Sequence, residues 1–238
     1  MVQATPMLVT PRRREALVDE LVREVGLGRR LVSMITVMTA GAALYGVVVG
    51  MWRGEGQAVY AAVKLPLVLL LTSGLTMLFN WMTAVRLGVR TSFLQVAALT
   101  HLALAVAGVV LASLVPVAWL FTSSAEPPSP AARTTHNLLY LLHTGLVGFS
   151  GLVGVSVLWG ALLRVAGDPR RARRVFLIWL LTYALVGGEV AWALRPFVGS
   201  IYSPVGFLRE DALDGNVYEF ILRDIVPHFW NVLTNGGH

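Results

Sequence analysis

Three ionisable side chains interrupt apolar stretches of this chain: Lys64 within Ala61 to Phe79, His143 within Asn137 to Leu163, and Glu189 within Val175 to Leu194. Lys64 is also the single lysine among 19 Lys plus Arg. An ionised group in an apolar medium must pair, lose its charge or reach water. Lysine and glutamate at one level can neutralise each other and share hydrogen bonds, as a structural ion pair or as part of an ion- or ligand-binding layer. Lysine alone can instead run its methylene stem along apolar surface until the ammonium is wet.

These residues need long apolar elements to hold them, and the composition supplies them. Hydrophobic residues make up 56% of the chain, charged residues 13%, and the mean hydropathy is +0.69. A soluble domain usually carries about 25% charged residues. A hydrocarbon core about 30 Å thick needs roughly 20 apolar residues per crossing. Five segments qualify: Leu31 to Met51, Val59 to Val85, Phe93 to Phe121, Asn137 to Leu163 and Val175 to Leu194. The expected fold is all-α, a polytopic transmembrane bundle of five spans with amphipathic helices at both termini. Residues 1–30 form a cytoplasmic segment, 31–195 the membrane domain, and 196–238 an external segment.

Arginine placement orients the bundle. Thirteen of the eighteen arginines precede span one or follow spans two and four, which puts the N-terminus in the cytoplasm and the C-terminus outside. The paucity of lysine beside abundant Arg, Ala, Val and Gly has the character of a GC-rich bacterial genome and points to a bacterial inner membrane. The first span is expected to stay attached, because the arginine-rich start lacks a small-residue cleavage site before a short apolar core. The isoelectric point of about 10.3 follows from basic residues at span ends, so no nucleic-acid partner is expected. The Arg164 to Arg174 loop reads as a contact for anionic lipids.

With this orientation, Lys64 lies about 8 Å below the outer end of span two and Glu189 about 9 Å below the outer end of span five, at 1.5 Å per residue. His143 falls at a similar depth. Lys64, Glu189, His143 and Arg195 are therefore expected to form one intramembrane polar cluster. Pro66 can kink the helix beside the lysine, while Thr72, Ser73, Gly74 and Thr76 extend a polar strip. Gly187 and Gly188 leave space for a neighbour beside Glu189.

Other chemistry has little support. The absence of cysteine removes disulfides, thiol catalysis and thiolate metal sites. Nothing resembles GxSxG, a P-loop or a dinucleotide fingerprint, so neither catalysis nor a cofactor is expected. His136, Tyr140 and His143 share a helical face, but His101 lies nearer the bilayer middle and supplies no ligand at their level.

Around the spans, Leu17, Leu21 and Val25 predict a short amphipathic helix beginning at Pro11. Asn216 and Glu219 resemble a capping box before a stripe of Leu222, Ile225, Val226, Phe229 and Leu233, bent or broken at Pro227. Small residues at Gly46 and Gly50, at Gly108 and Ala112, and at Gly145, Gly148, Gly151 and Gly154 permit close helix approach.

Lys64-Leu-Pro-Leu-Val-Leu-Leu-Leu-Thr72 and the stretch Glu189 to Arg209 resemble an uncharacterised family of bacterial multi-spanning membrane proteins. The second stretch holds Trp192-x-Leu-Arg195-Pro196-Phe197-x-Gly199 and Phe207-Leu-Arg209. The first patch, with the cytoplasmic N-terminus and five spans, is distantly similar to the Yip family, which implies a non-enzymatic membrane adaptor. In the tail motif, Trp192 and Phe197 suit an interfacial anchor, and Pro196 ends the helix. The expected function is a non-enzymatic subunit or anchor of a larger membrane complex, with a protein partner or a second copy. The alternative is a small channel or transporter that uses the polar layer.

Overall fold

A computed structural model describes residues 11–202, 204–209, 212–220, 223 and 227. Its helices are α1 (Pro11–Val22), α2 (Leu27–Met51), α3 (Glu55–Arg86), α4 (Phe93–Ser123), α5 (Arg133–Ala166), α6 (Pro169–Ala193) and α7 (Val217–Phe220), with a 3-10 turn at Pro130–Ala132 before α5. No strand occurs among the described residues. Helices α2 to α6 are long and apolar enough to cross a membrane, and the protein is a multi-pass transmembrane bundle. Helices suit that medium because each satisfies its own backbone polar groups. They outrun several of the apolar segments because polar and charged residues continue the helix beyond hydrocarbon depth.

Local sequence sets the joints. Ser92 accepts from the Gln95 amide to start α4, and Asp168 accepts from the Arg170 amide to start α6 behind Pro169. Gly167, at φ 65°, lets α5 end in a left-handed turn. The α5–α6 connection is therefore only two residues long.

Helix α2 is the central post, packed chiefly on α4 and α3; α5 leans on α4, and α6 leans on α3. Glycines make these crossings close. A Cβ on Gly41 would strike the Gly108 carbonyl, one on Gly108 would come within 2.9 Å of Met38 Cα, and one on Gly50 would strike Gln57. Gly46 faces Ala61 and Ala62, and Gly154 faces Ala103. These small residues thus serve contacts within the chain. Gly145, Gly148 and Gly151 face open space.

Helix α1 docks on protein. Leu17, Val18 and Leu21 are buried among Met34, Leu99, Leu102 and Ala161. Asp19 pairs with Arg164 at 2.8 Å, and Glu20 with Arg30 at 2.6 Å. Gln95 donates to the Leu21 and Val22 carbonyls at 2.9 and 3.2 Å, which satisfies the end of α1. The expected stripe is corrected here: α1 stops at Val22, Val25 is 56% exposed beyond it, and Val18 takes the third apolar position.

At the other terminus, Asn216 Oδ1 accepts from the Glu219 amide at 2.8 Å, as its spacing predicted. The stripe Leu222, Ile225, Val226, Phe229 and Leu233 lies outside the described residues.

The glycine crossings can be tested by contrast. Gly108→Leu should destabilise the detergent-solubilised protein by about 1–3 kcal/mol through overpacking. Gly148→Leu, at an open position, should cause no loss. Thermal unfolding followed by size exclusion would measure both, and equal losses would refute this account of the packing.

Candidate functional site

Gln57, Tyr60 and Lys64 recur at i, i+3 and i+7, one face in the first turns of α3, and Arg53 lies in the turn just before the helix, across Gly54. That face meets the segment following α6, where the helix gives way to the cis Arg195–Pro196 peptide. A non-helical backbone exposes carbonyls that no neighbouring turn satisfies. Side chains of the bundle satisfy four of them.

Lys64 Nζ donates to the Pro196 carbonyl at 2.9 Å. Gln57 Nε2 donates to the same oxygen at 2.9 Å and to the Phe197 carbonyl at 2.8 Å, using both amide protons. Arg53 Nε donates to the Ser200 carbonyl at 2.7 Å. His136 Nε2, from the first turn of α5, bonds the Gly199 carbonyl at 2.9 Å and must carry its proton there, because a carbonyl only accepts. Gly199, at φ 97°, fits because it has no side chain: a Cβ would lie 2.7 Å from Arg53 Cβ and Cγ. Tyr140 reaches the Phe197 backbone and lies within the electrostatic influence of Arg195 and Arg209.

Rings cover the ammonium. Phe207 and Phe197 have centroids 5.2 and 6.0 Å from Lys64 Nζ, within cation–π range, and Tyr60 stands edge-on to Phe207 at 5.6 Å. Lys64 is 0% exposed. Its head does run toward the boundary, as a snorkelling lysine should, but it ends on a carbonyl beneath a lid of chain. Beside it, the Arg195 guanidinium lies 3.7 Å over the Trp192 ring and donates to the Trp192 carbonyl at 2.8 Å, closing the end of α6. Trp52 packs on His136 and donates to the Glu126 carbonyl at 2.8 Å, which ties the α4–α5 connection to the same corner.

Of the interface residues, Pro196, Phe197 and Phe207 meet Lys64, Trp192 lies under Arg195, Gly199 packs on Arg53 and Gln57, and Arg209 lies near Tyr140. Two expected members of the polar cluster do not join them. His143 is buried between Tyr45 and Thr122, with Nδ1 3.0 Å from the Tyr45 hydroxyl and Nε2 3.3 Å from Thr122 Oγ1. The Thr122 proton goes to the Ala118 carbonyl at 2.7 Å, so His143 donates from Nε2 and accepts the Tyr45 proton at Nδ1. Glu189 is half-buried on α6, and its described electrostatic neighbour is Tyr218, whose hydroxyl donates to the Leu185 carbonyl. Gly188 leaves room for Tyr218, and Gly187 leaves room for Thr72 of α3. No ion pair joins Lys64 to Glu189 among the described residues. Similar depth along two helices did not bring the charges together; Lys64 bonds the Pro196 carbonyl instead.

Helix α3 carries its polarity inward along its length. Thr72, Ser73, Thr76 and Asn80 are buried, while Leu71, Leu75, Leu78 and Phe79 are exposed. Ser73 Oγ lies 3.4 Å from His101 Nε2, and His101 Nδ1 bonds the Ala97 carbonyl at 2.9 Å. The i, i+7 spacing of Gln57 and Lys64 on one face of α3 was a signal for part of the clamp that the sequence carried. Nothing local pointed to Tyr45 as the partner of His143.

Compared with protein-family models, curated proteins and solved structures, the chain has no match. Side-chain donors, backbone acceptors and aromatic rings fix one segment against the bundle.

Gln57→Leu removes two donated bonds, and Gly199→Ala forces a side chain into a left-handed conformation against Arg53. Each should weaken docking of the segment by about 1–3 kcal/mol. Amide exchange at Val198 to Tyr202 should accelerate while exchange within α2 stays unchanged. Unaltered protection of the segment would contradict the clamp.

Proposed function

We propose that the protein is a non-enzymatic subunit or anchor of a larger assembly in a bacterial inner membrane. Its N-terminus lies in the cytoplasm and its C-terminus outside, following the arginine distribution. The carrying observation is the sealed Lys64. An ammonium bonded to a backbone carbonyl and covered by two phenylalanines suits a fixed corner better than an ion path. The distant similarity of the Lys64 patch and the five-span topology to a family of membrane adaptors agrees with this reading. Partner helices would meet the broad apolar faces of α5 and α6, where Leu141, Leu152, Leu177 and Leu181 are exposed. The exposed Arg170, Arg171, Arg173 and Arg174 would rest on anionic lipid headgroups.

A small channel or transporter is the second reading, favoured by the buried polar face of α3 from Thr72 to Asn80. Purification from native membranes in mild detergent, with quantitative mass spectrometry, should yield a partner or second copy at fixed stoichiometry. In liposomes, neither Lys64→Met nor Glu189→Gln should alter the passage of ions or solutes. A lone monomer whose flux changes in those variants would establish the second reading instead.

A further inference from the structure

Helices α5 and α6 share a two-residue hairpin yet lean on different partners, and a cavity of about 260 Å³ lies between α3, α4, α5 and α6. On three of these helices its lining spans the same length: Leu69 to Asn80, Thr100 to Leu111, and Val147 to Leu158. Eleven residues of helix rise about 16 Å, roughly half of a 30 Å hydrocarbon core, or the depth of one leaflet's chains. The lining is almost entirely apolar. Val147 on α5 and Leu180 on α6, 38% and 41% exposed, border it on the two splayed helices, so it is reached from the lipid phase. Gly151 on the same wall faces open space.

We infer that this cavity is a binding slot for one hydrocarbon chain of a membrane lipid, entering laterally between α5 and α6. Its dimensions favour a chain over a polar solute, since it is narrow, leaflet-deep and has little to hydrogen-bond. Two buried oxygens without hydrogen-bond partners, Asn80 Oδ1 and Thr100 Oγ1, stand at the end nearer the α5–α6 hairpin. A methylene chain gains nothing against unsatisfied polar atoms, so they set the depth at which it stops. Trp179, held by its bond to the Asn80 carbonyl at 2.8 Å, forms the wall beside them. The slot is separate from the Lys64 corner and does not depend on the proposed role as a subunit.

The test uses the full-length protein in vesicles of phosphatidylcholine bearing a photoactivatable diazirine along one acyl chain. Cross-linked residues are mapped by mass spectrometry. Chains that only surround the protein reach exposed residues such as Leu141, Leu152 and Leu181. A chain in the slot also labels Thr100, Ala107 and Leu111, which are buried on α4. Gly151→Phe should fill the slot and abolish labelling of α4 while leaving the exposed positions labelled. Val155→Phe, one turn away on the same wall, serves if the first variant does not fold. Labelling confined to exposed residues, or α4 labelling that persists in the folded filled variants, would overturn the inference.

Discussion

Four backbone carbonyls decide the shape of one end of this molecule. Pro196, Phe197, Gly199 and Ser200 lie just beyond α6, where the chain has left its helix but has not escaped the bundle. Water would ordinarily satisfy such groups, and in a buried setting each unsatisfied one costs about 1–3 kcal/mol. Lys64, Gln57, Arg53 and His136 supply the missing donors. The buried lysine and the irregular segment therefore solve each other's problem. The ammonium gains an acceptor and two ring faces, and the backbone gains a donor that its own geometry cannot provide.

The same logic operates at the opposite end with different residues. Gln95 supplies both amide protons to the last carbonyls of α1, and its own Oε1 accepts from Thr91 at 2.7 Å. In both places a glutamine near the start of a membrane helix faces a flanking segment and closes its open backbone. Ion pairs assist only at the exposed margin, where Asp19 meets Arg164 and Glu20 meets Arg30, and such pairs contribute little individually. Apolar burial of Leu17, Val18 and Leu21 provides the larger share of α1 docking.

The architecture was legible because its signals are additive over many residues. Five apolar segments announce five spans, and the arginine-rich connections mark one end of the bundle. Asn216 and Glu219 announced a cap because capping is local. The candidate site was legible only in part. Lys64, Arg195 and the motif from Trp192 to Arg209 stood out by placement, but depth along a helix says nothing about azimuth. Lys64 and Glu189 can share a level and still face different neighbours. Partners such as Tyr45 for His143, 98 residues away, depend on which helices pack together, and small residues permit a close crossing without naming it. Val25 misled for a simpler reason: the stripe continued past the point where Glu24, at φ 57°, and Gly26, at φ 61°, turned the chain out of the helix.

The clamp also has a mechanical consequence for the membrane interior. Helices α5 and α6 are tied at one end by Gly167 and Asp168. At the other, His136 of α5 and the donors of α3 grip the same short segment that emerges from α6. Between these ties the two helices lean on different neighbours, α5 on α4 and α6 on α3. Closing the gap would require α6 to leave Thr72 and Leu69, where Gly187 and Tyr183 meet α3, or α5 to leave Ala103, where Gly154 sits. Each movement sacrifices packed contacts whose loss nothing in the gap would offset. The cavity is consequently framed by the fold itself, and the bonds around Lys64 hold that frame from the end farthest from the hairpin.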